Sequence, residues 1–226
     1  MTREGGGGEG KRKSPSTVVI DEEGLIEGAC YEPSPNCDAR PAGCAIDLLV
    51  IHYISLPAGE FGGPGIVELF TNRLDPTVHP HYASLAGLKV SAHFLIRRGG
   101  ELIQFVPCVR RAWHAGESSW KGRSRCNDFS IGIELEGSSD LPFTDAQYDR
   151  LAVLTRALKA RYPVADIVGH SDIAPGRKSD PGPHFDWARY RAMLAISRHG
   201  AAANQKTRAR PLTAKAPERQ GQPRKR

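Results

Sequence analysis

The sequence lacks any apolar run approaching the roughly 20 residues that cross a bilayer, which sets membrane-embedded functions aside. Cysteine is scarce and poorly placed for structural work. Cys30, Cys37, Cys44, Cys108 and Cys126 make an odd set of five, without the close pairs of a structural zinc site. The first seventeen residues, with Gly5 to Gly8 and then Lys11-Arg12-Lys13, have no apolar segment behind their charges and do not read as an export signal. Free thiols in a cytoplasmic protein are therefore expected. A basic domain surface is lacking as well. The net charge of +6 belongs to residues 201–226, where eight Lys or Arg against one Glu give +7, so the other 200 residues sum to −1. Neither a nucleic-acid nor a membrane partner is expected.

What is present is one domain of patterned sequence. Residues 1–17 and the basic segment 200–226 read as disordered tails around a domain at 18–199. Residues 24–45 mix Gly, Pro and Cys with single apolar residues and predict an irregular wrap. Ile46 to Ile51 has the continuous branched pattern of a buried strand and runs into His52 and Tyr53. Val90 to Ile96 predicts a second strand, turned at Gly99-Gly100 into a hairpin partner over Leu102 to Val106. Phe129 to Glu136 alternates, with Phe129, Ile131, Ile133 and Leu135 on one face and Gly132, Glu134 and Glu136 on the other. Ile66 to Leu74 suggests a short helix. Thr144 and Gln147 fit a capping box for a longer one, with Tyr148, Leu151, Leu154, Leu158 and Tyr162 inward and Pro163 as its stop. A strand at Asp166 to Gly169 and a last helix from about Asp186 complete an α/β domain. Interleaved elements with one antiparallel hairpin predict a mixed central sheet flanked by helices.

The chemistry concentrates in His170 to Pro183, which holds an imidazole, the ammonium of Lys178 and the carboxylates Asp172 and Asp180. Pro175, Gly176, Pro181, Gly182 and Pro183 predict a loop without helix or strand, stiff enough to hold ligands still. His170 and Asp180 supply two of the three protein ligands that a catalytic zinc takes. For the third, His52 and His93 both end or occupy strands, and spacing alone does not choose between them. His79 and His81, flanking Pro80, are weaker candidates. Two same-face glutamates on a strand run against propensity, as working sites do. The loop Ala112 to Gly116 brings Trp113 and His114, followed by Arg123 and Arg125, a combination suited to a ligand part apolar and part carboxylate.

Taken together, Val50-Ile51-His52, Leu56 to Pro64, Val90 to His93, Arg111 to Gly116, Cys126 to Gly137 and Gly169 to Pro183 resemble the AmpD family of 1,6-anhydro-N-acetylmuramyl-L-alanine amidases. The likeness covers roughly residues 24–195. It implies the fold that type-2 amidases share with peptidoglycan-recognition proteins, and one zinc per chain on His52, His170 and Asp180. It also implies Glu134 as catalytic acid/base with Lys178 as its electrostatic partner, and Arg125, Lys89, Trp113, His114 and Tyr53 as substrate contacts. Tyr53 stands where an amide side chain is familiar and Lys89 where arginine is, both departures from the pattern. The expected function is hydrolysis of the lactyl–L-alanine bond of anhydro-muramyl tri- or tetrapeptides by a cytoplasmic monomer. A lytic amidase on intact wall and a non-catalytic peptidoglycan-binding module are the alternatives.

Overall fold

The computed structural model describes residues 18–196; the expected tails at 1–17 and 200–226 lie outside the described residues. In chain order the elements are β1 (Cys30–Tyr31), β2 (Cys37–Ala39), β3 (Leu48–Ile54), α1 (Gly65–Phe70), α2 (Pro80–Ala83), β4 (Phe94–Ile96), β5 (Leu102–Gln104) and β6 (Arg110–Ala112). They continue with β7 (Ser119–Trp120), β8 (Arg123–Ser124), β9 (Ser130–Glu136), α3 (Asp145–Arg161), β10 (Asp166–Gly169), α4 (His170–Ile173) and α5 (Trp187–Ile196).

Six strands form one sheet in the order β1-β5-β4-β9-β3-β10. Only the β4–β5 hairpin is antiparallel; the other four pairings are parallel. The expected mixed sheet is thus present. Strand β3 lies between β9 and the edge strand β10, in a register that sets His52 opposite Glu134.

The two faces of the sheet differ. On one, Leu49, Ile51, Ile131, Ile133 and Leu135 pack with Leu151, Leu154, Leu158 and Tyr190 of α3 and α5. The capping box is formed: Thr144 Oγ1 accepts from the Gln147 amide while Gln147 Oε1 accepts from the Thr144 amide. On the other face Leu48 and Val50 join Ala115, Cys126, Phe129, Val168 and Ile173, and Leu95 and Ile103 join Leu69, Phe70 and Phe105.

Three expectations are corrected. Residues 24–45 are not wholly irregular, because β1 adds a parallel edge to β5 and β2 pairs with β6. The segment from His170 opens with one helical turn, since its prolines and glycines begin only at Pro175. Phe129 does not share a face with Ile131. It closes a 3-10 turn before β9 begins and packs with Leu48 and Val50, its ring 3.6 Å beneath the Arg123 guanidinium.

Candidate active site

The parallel strands β3, β9 and β10 end side by side, and their ends deliver the polar groups that the sequence marked. His52 leaves β3 fully enclosed, and Gly169 at the end of β10 hands over directly to His170. The chain then loops back so that the Asp180 carbonyl accepts from the Ser171 amide. His52 Nδ1, His170 Nδ1 and Asp180 Oδ2 form a triangle with sides of 3.0, 2.9 and 3.1 Å.

That triangle fits a metal ion. A tetrahedral ion with bonds of roughly 2.0–2.1 Å separates its ligands by about 3.3 Å. His170 Nε2 lies 3.0 Å from the Ala115 carbonyl, which only accepts, so the ring's hydrogen is on Nε2 and Nδ1 presents a lone pair. A bare imidazole nitrogen and a carboxylate oxygen 3.1 Å apart repel one another unless a cation lies between them. Two imidazoles and one carboxylate are also a donor set that zinc accepts.

Glu134 stands beside the triangle. The residue is 8% exposed, and its Oε2 is buried without a hydrogen-bond partner among the described residues. Burial, with the nearby Asp180 charge, holds its carboxyl well above the ordinary carboxylate range, against the pull of Lys178. Glu136, two residues on, is in a different state. Its carboxylate pairs with Arg97 at 2.9 Å and accepts from the Gly62 and Arg98 amides at 2.8 and 3.1 Å. It ties the Leu56–Pro64 loop to the sheet and is not among the residues that line the cleft.

A cleft of about 270 Å³ opens over these groups. His52, His114, Glu134, His170, Lys178 and Asp180 form its polar end, and Leu69, Phe70, Leu85, Leu88 and Val90 its apolar wall; Tyr53 and His81 also face it. Trp113, Lys89 and Arg125 are not among its lining residues. Lys89 lines an adjoining groove that shares Leu69, Leu85 and Leu88 with the cleft. Trp113 is half-buried, its amide donating to Ser91 Oγ. Arg125 is exposed in a left-handed conformation (φ 62°) and pairs with Asp128 at 3.3 Å.

His93, the rival strand histidine, lies away from the triangle. Its Nδ1 accepts from the Gly132 amide at 3.0 Å and its Nε2 abuts the Arg110 carbonyl. Burial, then Arg40, keeps it neutral. His114 does more than line a wall, because its Nδ1 is 2.9 Å from His52 Nε2. It fills the space over Gly132, where a Cβ would come within 2.4 Å of its ring. Arg177, which the sequence gave no reason to choose, donates to the Ala115 carbonyl and so braces the group that orients His170. His81, a weaker ligand candidate in the sequence, is not part of the triangle; it faces the cleft, with its Nδ1 accepting from the Ala58 amide.

The family model described as N-acetylmuramoyl-L-alanine amidase matches residues 42–183. The 1,6-anhydro-N-acetylmuramyl-L-alanine amidase AmpD of Citrobacter freundii is 58% identical over 183 residues, covering 80% of this chain and 98% of the relative. A crystal structure of a selenomethionine AmpD derivative superposes with a TM-score of 0.76 at 58% identity, covering 78% of this chain and 99% of the other. The amidase AmiD of Escherichia coli, solved with anhydro-N-acetylmuramic acid-L-Ala-D-γ-Glu-L-Lys, matches at a TM-score of 0.50 and 29% identity, covering 79% of this chain and 66% of the other.

Proposed function

The chain belongs to the N-acetylmuramoyl-L-alanine amidase family, and from that membership we propose that it hydrolyses the amide between the lactyl group and L-alanine in 1,6-anhydro-N-acetylmuramyl peptides released during peptidoglycan recycling. The observation that carries the chemistry is the Glu134 carboxylate, buried and unpartnered at Oε2 beside three converging metal-ligand atoms.

His52, His170 and Asp180 would hold one zinc ion. When bound, zinc lowers the pKa of water toward neutrality and polarises the carbonyl oxygen. Glu134 takes the proton of the attacking water and gives it to the departing L-alanine nitrogen, so one C–O bond forms as one C–N bond breaks. Burial strengthens the carboxylate as a base toward the attacking water, and the carboxyl so formed is the acid that serves the departing nitrogen. Lys178, facing the same cleft, places an ammonium where oxyanion charge develops.

The apolar wall from Leu69 to Val90 gives the sugar and lactyl methyl a dry surface, while Tyr53 and His114 border the reacting end. Lys89 in the adjoining groove, with Arg125 and Trp113 outside the cleft lining, is assigned to the peptide and its carboxylates. A soluble fragment in the cytoplasm is the proposed substrate. Support for that compartment comes from the cysteines, all five of which are free thiols. Among the described residues no helix is long and apolar enough to cross a membrane.

The test compares purified anhydro-muramyl tripeptide with insoluble sacculi at equal enzyme, with products identified by mass spectrometry. Release of intact peptide from the soluble fragment, much faster than from sacculi, is expected. Equal or faster release from sacculi would turn the assignment toward a lytic amidase.

A further inference from the structure

We propose that His114, braced by Ser130, is a positioning residue that fixes which nitrogen of His52 carries the proton, and so delivers a bare Nδ1 to the metal. The inference rests on reading His52 as a ligand. It concerns how that ligand is made ready.

The order of hydrogens is set from the far end. The Cys126 carbonyl only accepts, and Ser130 Oγ lies 2.6 Å from it, so the single hydroxyl hydrogen is used there. The same oxygen is 3.1 Å from His114 Nε2 and must accept from it. With its hydrogen on Nε2, His114 presents a lone pair at Nδ1, 2.9 Å from His52 Nε2. His52 therefore donates from Nε2. A neutral imidazole has one N–H, so His52 Nδ1 is left bare, aimed at Asp180 and His170.

The brace is rigid at each joint. Ser130 is fully buried on β9. The His114 ring lies against Gly132 on the same strand, and the amides of His114 and Ala115 both donate to Asn127 Oδ1 at 3.2 and 2.8 Å. Two consecutive residues thus orient both imidazoles of the triangle, His114 through its side chain and Ala115 through its carbonyl. A metal-bound histidine usually gives its second N–H to a carboxylate or carbonyl; here a second imidazole takes that place for His52.

Three variants of the full chain separate positioning from packing. His114→Leu keeps bulk but removes the acceptor, and zinc affinity by chelator competition should fall about 10–100-fold. His114→Asn restores an oxygen near the Nδ1 position and should recover most of that loss. Ser130→Ala removes the acceptor for His114 Nε2 together with the bond to the Cys126 carbonyl, and should cost zinc affinity several-fold. Nitrogen-15 histidine spectra of the zinc-loaded native chain should show His52 and His114 both protonated on Nε2. Zinc binding by a folded His114→Leu chain as tight as native, or a proton on His114 Nδ1, would overturn the inference. If His114→Leu does not fold, the native spectra and the Asn variant still decide. Asp180→Ala serves as the control: if it loses zinc while His114→Leu does not, positioning fails and the ligand set stands. If neither loses zinc, the ligand set itself is wrong.

Discussion

The two faces of the central sheet are built from the same strands and obey opposite rules. Toward α3 and α5, β3 and β9 present Leu49, Ile51, Ile131, Ile133 and Leu135, an apolar surface. Toward the cleft the intervening positions are Leu48, Val50 and His52 on β3 and Ser130, Gly132, Glu134 and Glu136 on β9, all buried. Burying polar groups in mid-sheet is costly unless each is paired. The polar side chains among them, His52, Ser130 and Glu136, have partners, while Glu134 Oε2 has none among the described residues. The apolar face has an orphan of its own, the buried Tyr162 hydroxyl at the end of α3, but that group is neutral; only the cleft face holds an unpartnered carboxyl, backed by a close-packed apolar layer.

Substitutions can sharpen or break that contrast. The largest effect is expected at Asp180, where Asp180→Ala should abolish turnover and leave little zinc after dialysis, read by metal analysis. Next is Glu134→Gln, which should keep zinc yet lower kcat on the order of 100-fold or more, the scale of general acid–base catalysis. Full activity in that variant would make the lone carboxylate a bystander. Arg125→Ala, away from both faces, should lower kcat/KM by tens of fold on the anhydro-peptide, as loss of a charge-assisted contact of about 1.5–3 kcal/mol requires. Glu136→Gln should change rate by only a few-fold and instead destabilise the fold by about 1–3 kcal/mol, measured by urea unfolding, because Arg97 loses its charged partner.

The smallest effect is also the most diagnostic. A carboxyl whose folded pKa is raised favours the folded state fully below its ordinary value of 4.5, and that contribution is lost as pH rises through the higher folded value. The amide of Glu134→Gln mimics the protonated form. The metal-free variant should therefore melt a few degrees above the metal-free native chain near pH 7 to 8, with no gain below about pH 4.5. An unchanged melting temperature at pH 7 would mean that Glu134 is not strained by burial.

The division between faces also explains what could be read in advance. Alternation along Ile131 to Leu135 and helical spacing along Leu151 to Leu158 follow from a one-sided core, so the sheet and α3 were legible. Strands as short and exposed as Cys30–Tyr31 leave no periodicity to read, and they form because β5 offers an edge. The turn at His170 was hidden because breakers mark where a helix stops and not whether one turn precedes them. His52 and His93 were indistinguishable in sequence, since which of two strand histidines meets the triangle depends on pairing partners elsewhere in the chain. Ser130 did carry a signal: it precedes Gly132, Glu134 and Glu136 at the same alternate spacing, on the same face. His114, by contrast, looked like a cleft residue, and nothing local reveals that its ring reaches His52.

The position of β3 between β9 and β10 has a consequence for the order of events in synthesis. The two histidines of the triangle are 118 residues apart, and the strands that bring them together pair across long intervening loops. Closing such loops is entropically expensive and comes late in folding. A ribosome-bound chain that has not yet released Asp180 holds no complete ligand set, however well its first half is packed. An ion that requires His52, His170 and Asp180 together would meet its full ligand set only when synthesis of the domain is nearly finished.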